Sequence, residues 1–336
     1  MSDKRIPETM TARPGDPPME RAPLPPLSAQ DQVSLEGPVA TEASQLAHGR
    51  NHQPIQSGQL RVGTCQFAVS KDLRRNGRRI LELTRAAADA GARVVHFPEA
   101  ALSGYLGLDH ADESTLDWGL LADLSRQVCE AAADLGVWVL LGSAHRVEAP
   151  NKPHNSVFVI DDKGQLVDRY DKRFCTTNDL EHYSPGDHRV CFEVDGVRCG
   201  VAICFDIRFP ELYREYKSVD VHCVFQSNYD ARGKGRSHFR HIMRQTMQTR
   251  CATNYIWMSA TNSSAHYQSY ASVFVQPDGR IASRLRDHRP GFMINTVDTT
   301  ADLYDAAGPH RLRALQGAVG NGPPRFDRRS LDRQRW

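Results

Sequence analysis

Long apolar runs are missing from this 336-residue chain. No stretch approaches the roughly 18 apolar residues that span a bilayer, and the first residues lack the apolar core of a secretory signal. An excess of one charge is missing as well, since 42 Lys and Arg face 40 Asp and Glu and leave a net charge of +2 at pH 7. Nucleic acids and anionic membranes are usually bound by a basic surface, so the composition favours neither partner. We therefore expect a soluble, cytoplasmic protein.

Cysteine is too sparse for a disulfide-stabilised scaffold, because eight cysteines are spread over a chain that is long enough to bury a large core. Most of them should be small buried hydrophobic residues, an interpretation that suits Cys65, Cys199, Cys223 and Cys251. The phosphate-binding patterns GxGxxG and GxxxxGK[ST] are absent, and so is the serine-hydrolase pattern GxSxG. The sequence thus gives no support to nucleotide binding or to serine chemistry.

Aromatic residues are absent from residues 1–58, which hold no Phe, Trp, Tyr or Cys but nine of the nineteen prolines. Such a segment cannot bury enough apolar surface to offset the entropy of ordering it, so we predict a disordered, proline-rich arm. Residues 310–336 are rich in arginine and carry little apolar periodicity, which predicts a tail. The residues between, 59–309, are enough for one layered α/β domain.

Helical and strand patterns alternate through residues 59–309. Two amphipathic helices are predicted, one from about Ile80 to Ala90 and one over Leu116–Leu135, each followed by a glycine and then by a short apolar strand. Asp161–Gly164 and Asp195–Gly196 each separate two β-rich runs and predict hairpins. The alternation then continues, so the predicted fold class is α/β, with helices covering the outer faces of two packed sheets.

Reactive side chains follow three of the predicted strands directly, where open α/β sheets present their ligands. Glu99 comes after the apolar run VVHF and is flanked by further apolar residues, so poor solvation would suit it to general-base chemistry. A strand-end acid that caps the next turn is the alternative. Lys172 also ends a strand. It is either a solvated edge charge or, if it points inward, a fixed cation for an oxyanion.

Cys204 ends the strand GVAIC, which is apolar on both faces and therefore central in its sheet. The chain then turns through Phe205-Asp206 into a helix with Pro210 near its start. A cysteine on such a turn faces the N-terminal end of a helix and free backbone N–H groups, which favours the thiolate. Arg208 lies on the same turn, where it either positions a substrate carboxylate or pairs with a neighbouring acid.

Together these segments resemble the carbon–nitrogen hydrolase family, also called the nitrilase superfamily. The family's glutamate, lysine and cysteine appear in order as FPE (Glu99), YDK (Lys172) and CFDIRFPE (Cys204), and the similarity extends from about Leu60 to His310. The resemblance implies a four-layer α-β-β-α sandwich. It also implies that neither a metal nor an organic cofactor is needed.

For the chemistry, the resemblance implies hydrolysis of a small-molecule carboxamide through a cysteine thioester. Glu99 would take the thiol proton, Cys204 would attack the carbonyl carbon, and Lys172 with the backbone N–H of Phe205 would hold the oxyanion. Phe205-Asp206 stands where true nitrilases typically have Trp-Glu, which favours amides over nitriles. The segment looks most like the branch with ω-amidases and enzymes acting on deaminated glutathione. An N-carbamoyl amino acid hydrolase and a non-catalytic binding or scaffold protein on the same fold are the alternatives.

Family members often carry a second carboxylate between the lysine and the cysteine, and two residues qualify here. Counting back from the Pro-Gly-Asp at Pro185 points to Asp179, whereas counting forward from Lys172 allows Glu181. Tyr105, which follows the Glu99 segment, is a further candidate for contact with the substrate or for a structural role.

Two histidines, His238 and His241, are the remaining candidates for metal binding. His238 and His241 would share one face of a predicted helix, but a zinc site needs three or four converging ligands, so no metal site is predicted.

Tails in the resembling family often cross to the neighbouring subunit, and we expect a homodimer or a multiple of it, clasped partly by residues after Pro309. The apolar residues that punctuate this tail are Leu312, Leu315, Val319 and Phe326.

Overall fold

The computed structural model describes residues 58–231, 237, 240–323 and 326–334. The predicted disordered arm therefore lies outside the described residues except for Gly58, whose N–H donates to the carbonyl of Asp195 at 2.8 Å. In the described ranges, no helix combines the length and the apolar content needed to cross a membrane.

The first of two six-stranded sheets has the strand order β12-β1-β2-β3-β4-β5. Its strands β1 to β3 are parallel, whereas β4 runs antiparallel to both β3 and β5. The carboxyl ends of β2, β3 and β5 consequently lie at the same edge of this sheet. The strands are β1 Gln59–Gln66, β2 Val94–His96, β3 Trp138–His145, β4 His154–Ile160, β5 Leu166–Asp171 and β12 Gly291–Asp298.

The second sheet has the order β11-β10-β9-β8-β7-β6, in which β7, β8 and β9 are parallel. The strand predicted from GVAIC is β7, and it has a neighbour on each side, as expected from its apolar faces. Both predicted hairpins are present, as β4–β5 and β6–β7. The strands are β6 Cys191–Val194, β7 Val197–Ile203, β8 Cys223–Ser227, β9 Trp257–Thr261, β10 Val273–Val275 and β11 Ile281–Arg284.

Helices cover the outer face of each sheet. Helix α1 (Leu73–Asp89) and helix α2 (Trp118–Leu135) pack on the first sheet, and α3 (Pro210–Ser218) with α4 (Met243–Asn254) packs on the second. One apolar cluster lies between the two sheets, and a further cluster lies between each sheet and its helices. This arrangement is the predicted α-β-β-α sandwich. It forms because apolar residues at helical spacing give each helix one buried face.

Helix α5 (Gly308–Leu315) spans residue 309, where the sequence suggested that the domain ends and a tail begins. Its Arg311 is only 8% exposed. The guanidinium forms a salt bridge with Asp305, donates to the carbonyl of Thr253 at 3.2 Å and lies over the ring of Tyr255. These contacts attach α5 to the domain. A short helix α6 (Arg328–Leu331) follows, and Leu312, Val319 and Phe326 are exposed.

The helix predicted around the two histidines begins later than the sequence suggested. Helix α4 starts at Met243, so His241 precedes it and does not lie on a helical face, while His238 lies outside the described residues. Ahead of the helix, the N–H of Arg240 donates to the carbonyl of Ser237 at 3.1 Å. Among the described residues, no three His, Cys, Asp or Glu side chains converge in a way that suits a metal ion.

Candidate active site

Glu99 lies on the loop that follows β2 and is fully buried. Its Oε1 accepts hydrogen bonds from Lys172 Nζ at 2.9 Å and from Asn155 Nδ2 at 2.8 Å. Its Oε2 is also buried but accepts no hydrogen bond from any residue that the structure describes. One oxygen of this carboxylate is therefore fixed by the protein, and the other is available to a ligand.

The loop that carries Glu99 is held from both sheets. The carbonyl of Phe97 accepts from Ser227 Oγ at 3.1 Å and from Thr261 Oγ1 at 3.2 Å, both in the second sheet. On β3 the backbone of Gly142 approaches so closely that a Cβ there would lie 2.0 Å from the carbonyl oxygen of Pro98. Only glycine fits at that approach, so the loop rests directly on the strand.

Lys172 follows β5 directly and is completely buried. Its ammonium group donates to Glu99 Oε1 at 2.9 Å, to Asp179 Oδ2 at 2.8 Å and to Tyr105 Oη at 3.3 Å. Burial disfavours the charged ammonium, but the nearby charges of Glu99, Tyr105, Cys204 and Asp179 outweigh that effect and raise the pKa of Lys172 well above its usual value. Lys172 is thus the inward-pointing cation of the two possibilities and not an edge charge.

Asp179, and not Glu181, contacts Lys172. Both residues lie on the short 3-10 turn Asp179–Glu181, where Asp179 is buried and Glu181 is exposed. Asp179 also accepts from Tyr105 Oη at 2.6 Å and from the N–H of Thr176 at 2.9 Å. Burial alone would raise the pKa of Asp179, but the charge and hydrogen bond of Lys172 with these other donors lower it to about 2. Tyr105 is buried inside this cluster.

Cys204 opens a 3-10 turn, Cys204–Arg208, at the end of β7. Its φ of 44° is in the left-handed region that non-glycine residues adopt only under constraint. The side chain is half-buried and lies close enough to Lys172 for a negative charge on its sulfur to raise the pKa of the lysine. The N–H of Phe205 lies at the start of the turn, where a helical segment offers no carbonyl of its own to accept it.

Asp206 holds the turn Cys204–Arg208 in place through its hydrogen bonds. Its fully buried carboxylate accepts from the N–H of Ile203 at 2.9 Å, from the N–H of Phe174 at 2.8 Å and from Tyr170 Oη at 2.8 Å. Burial raises the pKa of Asp206 to about 6, although these three donors and the charge of Lys172 oppose the rise. Because Tyr170 and Phe174 flank Lys172 in sequence, one carboxylate ties the lysine segment to the cysteine turn.

Arg208 closes the turn and is half-buried, and its backbone carbonyl accepts from Arg250 at 3.3 Å. Its predicted role toward a substrate stays a prediction. All eight cysteines are free thiols. Burial raises the pKa of each of the four expected in the core, and it raises that of Cys175, close to Lys172, to about 12. The four core cysteines are Cys65, Cys199, Cys223 and Cys251.

Two residues beside the site make contacts that the sequence analysis did not predict. Asn155 supplies a hydrogen bond to Glu99, and Asp206 supports the cysteine turn. The pair Asn155-Ser156, two buried polar residues within an otherwise apolar strand, was the available signal for the first. For Asp206, the signal was its place two residues after the nucleophile candidate.

A sequence profile described as carbon–nitrogen hydrolase matches residues 61–304. The chain belongs to the carbon–nitrogen hydrolase family. This membership confirms the resemblance predicted from the three motifs, and with it the enzyme class, a hydrolase of carbon–nitrogen bonds.

Relatives of this carbon–nitrogen hydrolase are distant in sequence but match over most of the domain. A deaminated glutathione amidase of Mus musculus is 24% identical over 283 residues, which cover 77% of this chain and 85% of that protein. An omega-amidase of Xenopus tropicalis is 26% identical over 67% of this chain and 84% of its own length. Among solved structures, an amidase of the nitrilase superfamily from Nesterenkonia AN1 superposes with a TM-score of 0.66, at 17% identity, over 78% of this chain and 98% of that one. The predicted sandwich fold is confirmed by this likeness.

Proposed function

We propose that this carbon–nitrogen hydrolase cleaves a small-molecule carboxamide through a thioester on Cys204 and releases a carboxylic acid with ammonia or an amine. The observation that carries the proposal is the buried Glu99–Lys172–Asp179 cluster beside Cys204 on its constrained turn. The names of the relatives, a deaminated glutathione amidase and an omega-amidase, support the same reaction class.

The acylation step uses the oxygen of Glu99 that the protein leaves without a donor. Glu99 Oε2 takes the proton of the Cys204 thiol, and the sulfur attacks the carbonyl carbon. The same proton then passes to the nitrogen as the carbon–nitrogen bond breaks. In the second step, Glu99 removes a proton from water, which attacks the thioester and returns the thiol.

The oxyanion would be stabilised by the Phe205 N–H and by Lys172. Three described groups already accept from the Lys172 ammonium, and the contact with Tyr105 at 3.3 Å is the longest of them. We infer that this contact yields to the oxyanion, because the shorter bonds to Glu99 and Asp179 join opposite charges. Tyr105 keeps its other bond, to Asp179, while this happens.

We further propose a cytoplasmic homodimer, or a multiple of it. The support is the tail, where Leu312, Val319 and Phe326 expose large apolar surfaces next to arginines. Exposed apolar side chains in such a segment favour burial against a second subunit.

An ammonia-release screen tests the reaction. The substrates are dicarboxylic acid monoamides, aliphatic amides and N-carbamoyl amino acids, each with and without a chelator. We expect ammonia from amides in both conditions. Release of carbon dioxide together with ammonia from the N-carbamoyl compounds alone would favour the carbamoylase alternative, and inhibition by the chelator would contradict a metal-free reaction.

Thiol labelling identifies the nucleophile. Iodoacetamide at neutral pH should modify Cys204 much faster than Cys175, whose raised pKa keeps it protonated. Cys204→Ala should abolish turnover and the fast labelling but keep the fold, whereas Cys191→Ala, at an exposed cysteine of an edge strand, should keep both. Turnover by Cys204→Ala would disprove the assignment, and slow labelling of all thiols with no turnover would favour a scaffold protein.

A further inference from the structure

Asn155 lies in β4 beside both charged groups of the site. It is 1% exposed, its backbone carbonyl accepts the N–H of Lys172 at 2.8 Å, and its Nδ2 donates to Glu99 Oε1 at 2.8 Å. The bond to Glu99 determines which atom of the Asn155 side-chain amide is nitrogen and which is oxygen, because the reversed orientation would place the amide oxygen against a carboxylate oxygen. Its Oδ1 is therefore an acceptor.

Two buried acceptors lack a donor at this point. Neither Asn155 Oδ1 nor Glu99 Oε2 accepts a hydrogen bond within the described part of the chain. Asn155 Oδ1 is bonded to the same carbon as Nδ2, and Glu99 Oε2 is bonded to the same carbon as Oε1. Because Nδ2 and Oε1 are hydrogen-bonded to each other, the two acceptor oxygens lie only a few ångströms apart. A buried acceptor without a donor costs free energy, and a pair of them matches a ligand group that presents hydrogens.

We propose that Asn155 is a further catalytic residue, whose Oδ1 accepts an N–H of the substrate's carboxamide nitrogen. The inference rests on the proposed amide hydrolysis and assigns recognition of the leaving group within the same site. When Cys204 Sγ bonds to the carbonyl carbon, the carbon becomes tetrahedral and the π electrons of the carbonyl move to its oxygen, so the lone pair of the nitrogen is no longer conjugated and becomes basic. The N–H held by Oδ1 turns that lone pair toward the proton on Glu99 Oε2. The proton moves to nitrogen, the carbon–nitrogen bond breaks, and ammonia leaves the thioester behind.

An ester offers the comparison that isolates this contact. The alkoxy oxygen of an ester carries no hydrogen, so Asn155 cannot assist its departure, while every other group in the site acts on an ester as it does on an amide. We therefore compare kcat/KM for the carboxamide and the methyl ester of one acid, chosen from the ammonia-release screen. This constant reports the acylation step and is independent of the shared hydrolysis of the thioester.

Asn155→Ala should lower kcat/KM for the amide about tenfold more than for the ester, the effect of one buried hydrogen bond. Ser156→Ala is the matched control, because Ser156 is buried on the same strand but bonds to Asp171. The control should keep the wild-type ratio of amide to ester. Equal losses for both substrates in Asn155→Ala would overturn the proposal and leave Asn155 as a positioning residue for Glu99. Asn155→Ser replaces the alanine variant if the latter does not fold.

A binding measurement tests the same contact without changing Asn155. Calorimetry on Cys204→Ala compares the carboxamide with the methyl ketone of the same shape, which has no N–H. We expect the ketone to bind about tenfold more weakly, because it leaves the two acceptors unpaired. Equal affinities would overturn the inference. A wild type that releases no ammonia from any amide would overturn the proposed function as well, whereas an active wild type with an unchanged amide-to-ester ratio in Asn155→Ala overturns this inference alone.

Discussion

One ammonium group, that of Lys172, lies between two buried carboxylates, at 2.9 Å from Glu99 and 2.8 Å from Asp179. The cluster therefore carries one negative charge in excess of its positive charge. Asp179 thus holds the ammonium group of Lys172 in place together with Glu99.

Asp179→Asn removes that excess charge and weakens the hold on Lys172. We expect kcat/KM for the amide to fall about 100-fold, as it does when one stabilising group of an oxyanion site is disturbed. Steady-state kinetics check this, with Glu181→Gln as the control, since Glu181 is exposed on the same turn. Similar losses in both variants would show that the turn, and not the carboxylate, is responsible.

Asp206 makes stability depend on pH with a defined sign. Its pKa is about 6 in the folded protein against 3.8 for an ordinary aspartate, so the folded state binds the proton more tightly than the unfolded state does. The ionised carboxylate costs about 3 kcal/mol of stability above pH 6, and this cost disappears as the pH falls through 6 toward 3.8. Urea unfolding of the wild type and of Asp206→Asn, above and below pH 6, should show the difference in unfolding free energy moving in favour of the wild type at lower pH. A difference that does not vary with pH would contradict the assignment.

The loop after β2, which carries Glu99, depends on its contact with β3. A methyl group at position 142 would lie 2.0 Å from the Pro98 carbonyl, which is backbone and cannot turn aside. Gly142→Ala should therefore displace Glu99 and lower kcat/KM about 100-fold, the loss expected when a catalytic group moves by about 1 Å. Gly119→Ala in α2 is the control, because a Cβ there meets its nearest atom only at 3.5 Å. Retained activity in Gly142→Ala would mean that the loop is not fixed by β3.

How far the sequence predicts these elements depends on whether a local pattern decides the question. Glu99 and Cys204 are predictable because each follows an apolar strand with a clear end, and Lys172 is predictable because an alternating strand, β5, ends directly before it. The choice between Asp179 and Glu181 is not predictable from the sequence, because only the 3-10 turn determines which of these two nearby acids points inward. The role of Asn155 depends on its contact with Glu99 on the loop after β2, so no local pattern around Asn155 predicts it. The start of α4 was predicted too early, since Ile242 continues the apolar period before the helix begins.

The C-terminal tail has an attached part, which contains Arg311, and an exposed part, which contains Val319 and Phe326. Truncation after Gly317 keeps Arg311 and its contacts but removes Val319 and Phe326, so it should weaken only subunit association. Truncation after Pro309 removes Arg311 as well and should also destabilise the subunit. Melting temperatures measured over a range of protein concentrations check this, since association and folding are linked by mass action. A full-length protein that light scattering shows to be monomeric at micromolar concentration would disprove the clasp.

The pairing of β1 with β12 has a consequence for synthesis. Gln59 and Asp298 face each other across these strands although 239 residues separate them in the chain. On the ribosome, β1 emerges early, and the edge that pairs with β12 stays unpaired until β12 is translated, roughly 10 to 50 s later at ordinary elongation rates. During that interval the open edge can add a strand from a neighbouring nascent chain. The enzyme is therefore most exposed to misassembly while it is being made, before its last strand covers the first.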